Sequence, residues 1–283
     1  MLTLGRTLHC YYPGKGFPSF SVTGEKCALH CDHCHGHYLR GMKKVSTPEA
    51  LLRAAQGLSS RGGRGFLLSG GCDQRGRVPL LPFVEAVRQA KERYGLEVNI
   101  HTGMLDIKEA RALVRSRADC YSVDVHQTRA VIQGVLHSPM DPEDYEDTLA
   151  SLFDAGAEGV VPHVTVGLED GNEDAMESIR LSARYPIRSL VLLVFLPTPG
   201  TPLQDCQPPA DEEVLRAIKE ATMLARCPII LGCMRPRGRR RLEREAVLLG
   251  IRHMAMPSPA TVEWAVAEGF EVLRAERCCA LQV

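Results

Sequence analysis

Eight short apolar runs alternate with amphipathic stretches along most of the chain, and this alternation limits the fold more than any other feature. The runs lie at 18–23, 65–69, 96–101, 119–125, 159–166, 189–196, 228–232 and 252–256. Several are apolar almost throughout, as expected of strands buried on both faces. Helical patterns lie between them. At Thr47 and at Asp141 a capping residue precedes a proline at the first helical position. Acids follow in the first turn after Asp141. Further helices are expected over 78–94, 107–115, 173–183, 211–225, 240–249 and 258–268. Strands alternating with helices predict a parallel sheet. Eight of each predict a (βα)8 TIM-type barrel, which needs about 250 residues. The alternative is an open six-stranded barrel with a C-terminal extension. Either is one domain spanning 1–283, with an N-terminal segment 1–17 and a C-terminal tail 271–283. The proline-rich stretch 197–209 reads as a loop rather than a linker.

The formal net charge is zero, so nothing global points to nucleic acid. No apolar run approaches the roughly 20 residues of a membrane span. The first ten residues lack a secretory signal, so the expected location is the cytoplasm. The chain has 11 cysteines, an odd number. In a reducing compartment that count points to metal binding rather than disulfides.

Three of them, Cys27, Cys31 and Cys34, form C-x3-C-x2-C directly after the first expected strand. Thiolates are the preferred ligands of iron–sulfur clusters. Three of them hold three irons of a 4Fe–4S cube and leave the fourth iron open. The alternative metal is zinc, since His30, His33, His35 and His37 crowd the same loop. Zinc usually takes a second knuckle of matching spacing, and none follows. Barrel active sites lie at the C-terminal ends of strands, where this loop falls.

The triplet is the signature that the radical SAM superfamily carries, and the chain resembles that superfamily over roughly residues 20–275. The resemblance implies a 4Fe–4S cluster binding S-adenosylmethionine (SAM) and one-electron cleavage to a 5′-deoxyadenosyl radical. It places His33 near the adenine. It gives Ser69, Gly70 and Gly71 to the SAM amino group, with Cys72 replacing the usual acid of the glycine-rich motif. Asp124 and His126 fall where the ribose hydroxyls would be met. Gly167, in T-V-G-L-E-D-G, is the position of close approach to the adenine. His163 reads as a core histidine. Arg235 is a candidate to grip a carboxylate of SAM or substrate through its planar fork.

The segments L-L-V-F-L-P-T-P-G-T-P-L and I-I-L-G-C-M-R-P-R-G-R resemble the biotin-synthase-like group. That group's second-cluster cysteines would fall near Asn99, Ser122 and Val161, and none is cysteine here. Cys72, Cys233, Cys278 and Cys279 are instead the candidates for an auxiliary cluster, with the tail expected over the barrel mouth. Cys10 is expected to precede the barrel, and Cys120, Cys206 and Cys227 read as peripheral or structural. Within the group, the chain most resembles one component of the two-protein, archaeal-type lipoyl synthase. That resemblance implies sulfur insertion into a protein-bound octanoyl chain. The implied partners are an acidic carrier domain, a second radical SAM protein, and an electron donor such as ferredoxin or flavodoxin. No nucleic acid or membrane partner is expected. The alternatives are a single-cluster enzyme resembling methylornithine synthase or a hydrogenase maturase, and a non-catalytic iron–sulfur or zinc scaffold. Arg235, Arg237, Arg239, Arg240 and Arg241 make a basic run that suits an acidic carrier.

Overall fold

The computed structural model describes residues 6–282. Its strands are β1 Thr7–Tyr11, β2 Ser19–Ser21, β3 Lys43–Lys44, β4 Gly65–Ser69, β5 Glu97–His101, β6 Cys120–Asp124, β7 Val160–Val166, β8 Leu190–Val194, β9 Ile229–Leu231, β10 His253–Ala255 and β11 Glu271–Ala275. The helices are α1 Pro48–Ser59, α2 Val84–Tyr94, α3 Ile107–Val114, α4 Pro142–Asp154, α5 Glu173–Ser182, α6 Asp211–Leu224, α7 Arg240–Leu248 and α8 Pro259–Ala267. The expected caps form. Thr47 Oγ1 accepts from the Ala50 amide at 3.2 Å, and the Asp141 amide donates to Asp144 at 2.8 Å.

All strands run parallel, in the order β11-β1-β10-β9-β8-β7-β6-β5-β4-β2-β3. Every expected strand is present with its helix. The closed (βα)8 ring is not: the first expected strand, β2, pairs with β3 and β4 and not with β10. The sheet is the open, curled alternative, and at 11 strands it is wider than the expected six. Three strands escape the sequence pattern. The β3 pair is two exposed lysines, a charged edge that discourages further pairing. The β11 strand alternates only weakly because it is largely exposed at the other edge. In β1, His9 breaks the apolar run. The segment 1–17 is therefore not an appendage, since its described part carries β1; residues 1–5 and Val283 lie outside the described residues.

Alternate residues of each strand face opposite ways, so the sheet has two cores. Leu68, Val98, Val123 and Leu192 pack outward against the helices. Tyr11, Cys120, Val161, Val191, Ile230 and Ala255 face into the barrel. The tail fills that interior. After β11 it turns inward, and Cys279, Ala280 and Leu281 pack among those residues, buried to 6% exposure or less. Arg277 pairs with Glu97, the first residue of β5, at 2.6 Å. The tail thus sits inside the barrel and not over its mouth, because the open side of the sheet admits it and Leu281 gains about 1.5–3 kcal/mol by burial. Among the described residues, no helix is long and apolar enough to cross a membrane.

Candidate active site

The cysteine loop joins β2 to β3 at the carboxyl end of the sheet. It is clamped from two sides. On one side lies a π-helical turn, Ala130–Val135, after β6. The Asp32 amide donates to Val135 O at 2.8 Å, the Cys31 thiol to Leu136 O at 3.4 Å, and Asp32 pairs with His137 at 2.7 Å. Irregular helical turns of this kind often mark functional sites. On the other side lies the loop after β4. There the Ala28 amide donates to Cys72 O at 2.7 Å and the Gly71 amide to Thr23 Oγ1 at 2.7 Å. A Cβ on Gly71 would stand 2.1 Å from Lys26 O and 2.7 Å from Cys27 Cα. Glycine is needed at this position so that the two loops can touch.

Cys31, His33 and Cys34 bring their ligand atoms within 4.8 Å of one another. Cys27 borders the same cavity, of about 320 Å³, and its sulfur accepts from the Cys72 amide at 3.4 Å. Cys34 is held below an ordinary thiol by the Cys31 hydrogen bond, against burial and with help from His33. Cys27 is likewise lowered, chiefly by the Cys72 thiol. Their partners Cys31 and Cys72 are raised by the same bonds and by burial. Two of the four thiols are poised as thiolates, the form that metals take. The donor set fits an iron–sulfur cluster held by Cys27, Cys31 and Cys34. His33 lies beside Cys34, and its Nδ1 is buried without a hydrogen-bond partner.

The cavity has two unlike walls. Ser69, His101, Asp124, His126 and Thr165 make one polar. Leu29, Leu136, Leu168, Leu193, Phe195 and Met234 make the other apolar. Asp124 meets His101 at 3.2 Å, and the His101 and His163 rings lie 5.1 Å apart. Burial would raise Asp124, but His101 outweighs it and the carboxyl is lowered. Burial would lower His101, yet Asp124 holds it raised. His163 falls to about 4 through burial and the His101 charge. Asp124 and His101 therefore hold each other toward their charged forms, while His163 behind them is driven toward the neutral imidazole. His126 is 2.8 Å from the buried Asp174, which also accepts from the Gln127 and Thr128 amides. Ser69 Oγ donates to His101 O at 3.1 Å, and Gly70 borders the cavity.

Two expected site residues lie elsewhere. Arg235 is 1% exposed and directs its guanidinium to Glu243 at 2.8 Å and to the carbonyls of Gly232, Ala255 and Met256. It fastens the β9 and β10 ends and cannot also grip SAM. Gly167 has φ +96°, and a Cβ there would be 2.6 Å from the Pro209 ring, so its close approach is to the proline-rich loop. His101, a wall residue the sequence reading passed over, ends the third expected strand. The inward alternation of Asn99 and His101 was its signal.

The other cysteines form a second group inside the barrel. The Cys278 sulfur accepts from Asn99 Nδ2 at 3.4 Å. Cys278 is lowered chiefly by the Cys279 hydrogen bond. Cys279 is raised by that bond, by burial and by the Cys278 charge. Cys233 is exposed just after β9. Cys72 does not join this group; it belongs with Cys27. Cys120, expected to be peripheral, does join it, packed against the tail. Asn99, Ser122 and Val161 face inward on adjacent strands, and Ser122 Oγ donates to Asn99 at 2.9 Å.

Fold and site together define an open parallel α/β barrel that presents three thiols on one loop at the carboxyl ends of its strands. The chain belongs to the radical SAM superfamily, whose family model matches residues 21–182. It is 25% identical over 210 residues to the biotin synthase of Alkalilimnicola ehrlichii, covering 72% of this chain and 62% of that one. The mitochondrial biotin synthase of Arabidopsis thaliana is 24% identical, with 72% and 55% covered. The chain thus spans somewhat over half the length of these relatives. Among solved structures, methylornithine synthase (PylB) superposes with a TM-score of 0.66 at 16% identity, covering 96% of this chain and 85% of that one. The FeFe-hydrogenase maturase HydG from Carboxydothermus hydrogenoformans gives 0.68 at 16% identity, covering 98% and 70%. These two likenesses describe the fold. Within that superfamily, biotin synthases are what its sequence is similar to, over 72% of the chain.

Proposed function

We propose that this enzyme inserts sulfur into a protein-bound octanoyl chain, as one component of a two-protein lipoyl synthase. The observation that carries the reading is the second cysteine group. Cys278 and Cys279 pack with Cys120 in the barrel below the cavity that Cys27, Cys31 and Cys34 border, with Cys233 at the exposed end of β9. Sulfur insertion needs a second thiolate site near the first, one to start the reaction and one to hold a sulfide donor as a second 4Fe–4S cluster.

Bound at Cys27, Cys31 and Cys34, a 4Fe–4S cluster with SAM supplies hydrogen abstraction from an unactivated C–H. The chain's own residues do the rest. Ser69, Asp124 and His126 offer polar groups to the cofactor. The apolar wall excludes water and receives the alkyl chain. Six methylenes buried there would contribute about 5 kcal/mol. Arg239, Arg240 and Arg241 would meet an acidic carrier domain. Ferredoxin or flavodoxin would supply electrons, a second radical SAM protein would complete the pair, and the cytoplasm is the proposed location.

A second reading rests on the opposite wall. His101, Asp124 and His163 suit a small, ionised substrate, which a single-cluster rearranging or cofactor-building enzyme would take. One experiment separates them. The anaerobically reconstituted protein is given SAM, dithionite, an octanoyl-lysine peptide and the partner protein. The proposal expects 5′-deoxyadenosine together with sulfur-bearing peptide. Deoxyadenosine with unaltered peptide sinks the octanoyl substrate.

A further inference from the structure

We propose that Cys72 is a fourth, exchangeable thiolate of the cluster at Cys27, Cys31 and Cys34, which occupies the open iron until SAM displaces it. The inference rests on the reading that those three cysteines hold the cluster. The loop that carries Cys72 is built against them. Gly71 leaves no side chain between Cys72 and the backbone of Lys26 and Cys27. The Cys72 carbonyl is pinned by the Ala28 amide at 2.7 Å, and its own amide reaches the Cys27 sulfur at 3.4 Å. Cys72 borders the same cavity as the other three.

No other cysteine is so placed. Cys120, Cys278 and Cys279 pack in the barrel interior. Cys10 and Cys227 pack in the layer under the helices, which Cys72 also touches, but neither lines this cavity, and Cys206 and Cys233 are exposed. Cys72 therefore stands beside the three thiols that would hold the cluster, on the same cavity, where it could offer a fourth thiolate. A fourth soft thiolate would protect that iron from water and oxidant while SAM is absent. The exchange is a ligand substitution. The iron–sulfur bond to Cys72 breaks, the released thiolate takes a proton, and the amino and carboxylate groups of SAM bind the iron. No electron moves.

Substitution makes SAM binding weaker than its intrinsic value by the fraction of enzyme with the iron open. If that fraction is about one tenth, the apparent Kd is about tenfold higher than without Cys72. The test uses the full chain, reconstituted anaerobically, as native protein, Cys72→Ala and Cys72→Ser. SAM-free samples are treated briefly with ferricyanide, and three-iron cluster is followed by electron paramagnetic resonance. SAM affinity is measured in parallel by equilibrium dialysis. Both variants should lose the labile iron about tenfold faster than native and bind SAM about tenfold more tightly. Equal iron loss in native and variant proteins, or unchanged SAM affinity, overturns the proposal while leaving the cluster itself in place. So does a serine variant that behaves as native, since that would make the effect one of packing. Failure of native protein to take up any SAM-binding cluster would overturn the underlying reading instead.

Discussion

The two thiol groups of this barrel are assembled in different ways. The upper group, Cys27, Cys31, Cys34 and Cys72, comes from two loops only 45 positions apart, and each loop is held by backbone hydrogen bonds. The inner group joins Cys120 to a tail whose contact with Asn99 spans 179 positions. The upper group is shaped by local backbone geometry. The inner group exists only while the tail is inserted. Terminal segments are the first to leave a fold unless burial holds them. The upper site should therefore survive changes that abolish the inner one, and not depend on it.

The largest expected effect is at the upper group. Replacing Cys27, Cys31 and Cys34 together with alanine should abolish reductive SAM cleavage, measured as 5′-deoxyadenosine. The variant should still hold about four irons, because a second cube takes its own cysteines. Residual deoxyadenosine would break the assignment of the upper group. A variant without iron would remove the inner cluster and favour the single-cluster reading.

The reciprocal change is Cys278→Ser with Cys279→Ser. Sulfur-bearing product should disappear and the inner iron with it, while SAM cleavage in the absence of peptide continues. Loss of both activities together would mean that the two groups are one structural unit and that the contrast is false.

The stiffness of the upper rim can be measured through His126 and Asp174. Both are almost fully buried, so Asp174→Asn should cost about 3–5 kcal/mol in urea unfolding. Burial would lower His126, but the Asp174 hydrogen bond holds it raised above the ordinary histidine range. A raised histidine stabilises fully below its unfolded pKa and loses that contribution as pH climbs through the folded value. The cost of the substitution should accordingly be larger at pH 6 than at pH 9. Equal costs would mean that Asp174 acts only through the Gln127 and Thr128 amides.

Legibility in the sequence follows the same division. Each strand expected from periodicity formed, because burial on both faces writes itself as an apolar run. Edge strands such as Lys43–Lys44 bury nothing and left no trace. The triplet was legible because its ligands are neighbours in one loop. The role of Gly71 was half legible. It was expected at the SAM amino group, but that it also lets the cysteine loop come near is something only coordinates show. Arg235 was misread because a charge run hides which member turns inward to Glu243. Cys120 was overlooked because its company depends on the path of the tail, and no local pattern encodes that path.

The smallest expected effect lies at the rim arginines, and it asks whether a carrier reaches the cavity from that side. Arg239 is paired with Asp211 at 2.7 Å and donates to Pro209 O, while Arg241 meets Glu212 at 2.9 Å and Glu245 at 2.7 Å. Reversing either would set like charges together and mix a folding effect with a binding effect. Arg240 is exposed and, among the described residues, makes no ion pair. It is the clean probe. An exposed pair is worth about 0.2–1 kcal/mol, so Arg240→Glu should weaken binding of an acidic octanoylated carrier by roughly two- to fivefold. The dependence of that affinity on salt should flatten, since one screened attraction is gone. SAM cleavage without carrier should not change, because Arg240 touches neither thiol group. Carrier affinity equal to native at low salt would assign this run to solvated surface and move the docking face to another part of the rim.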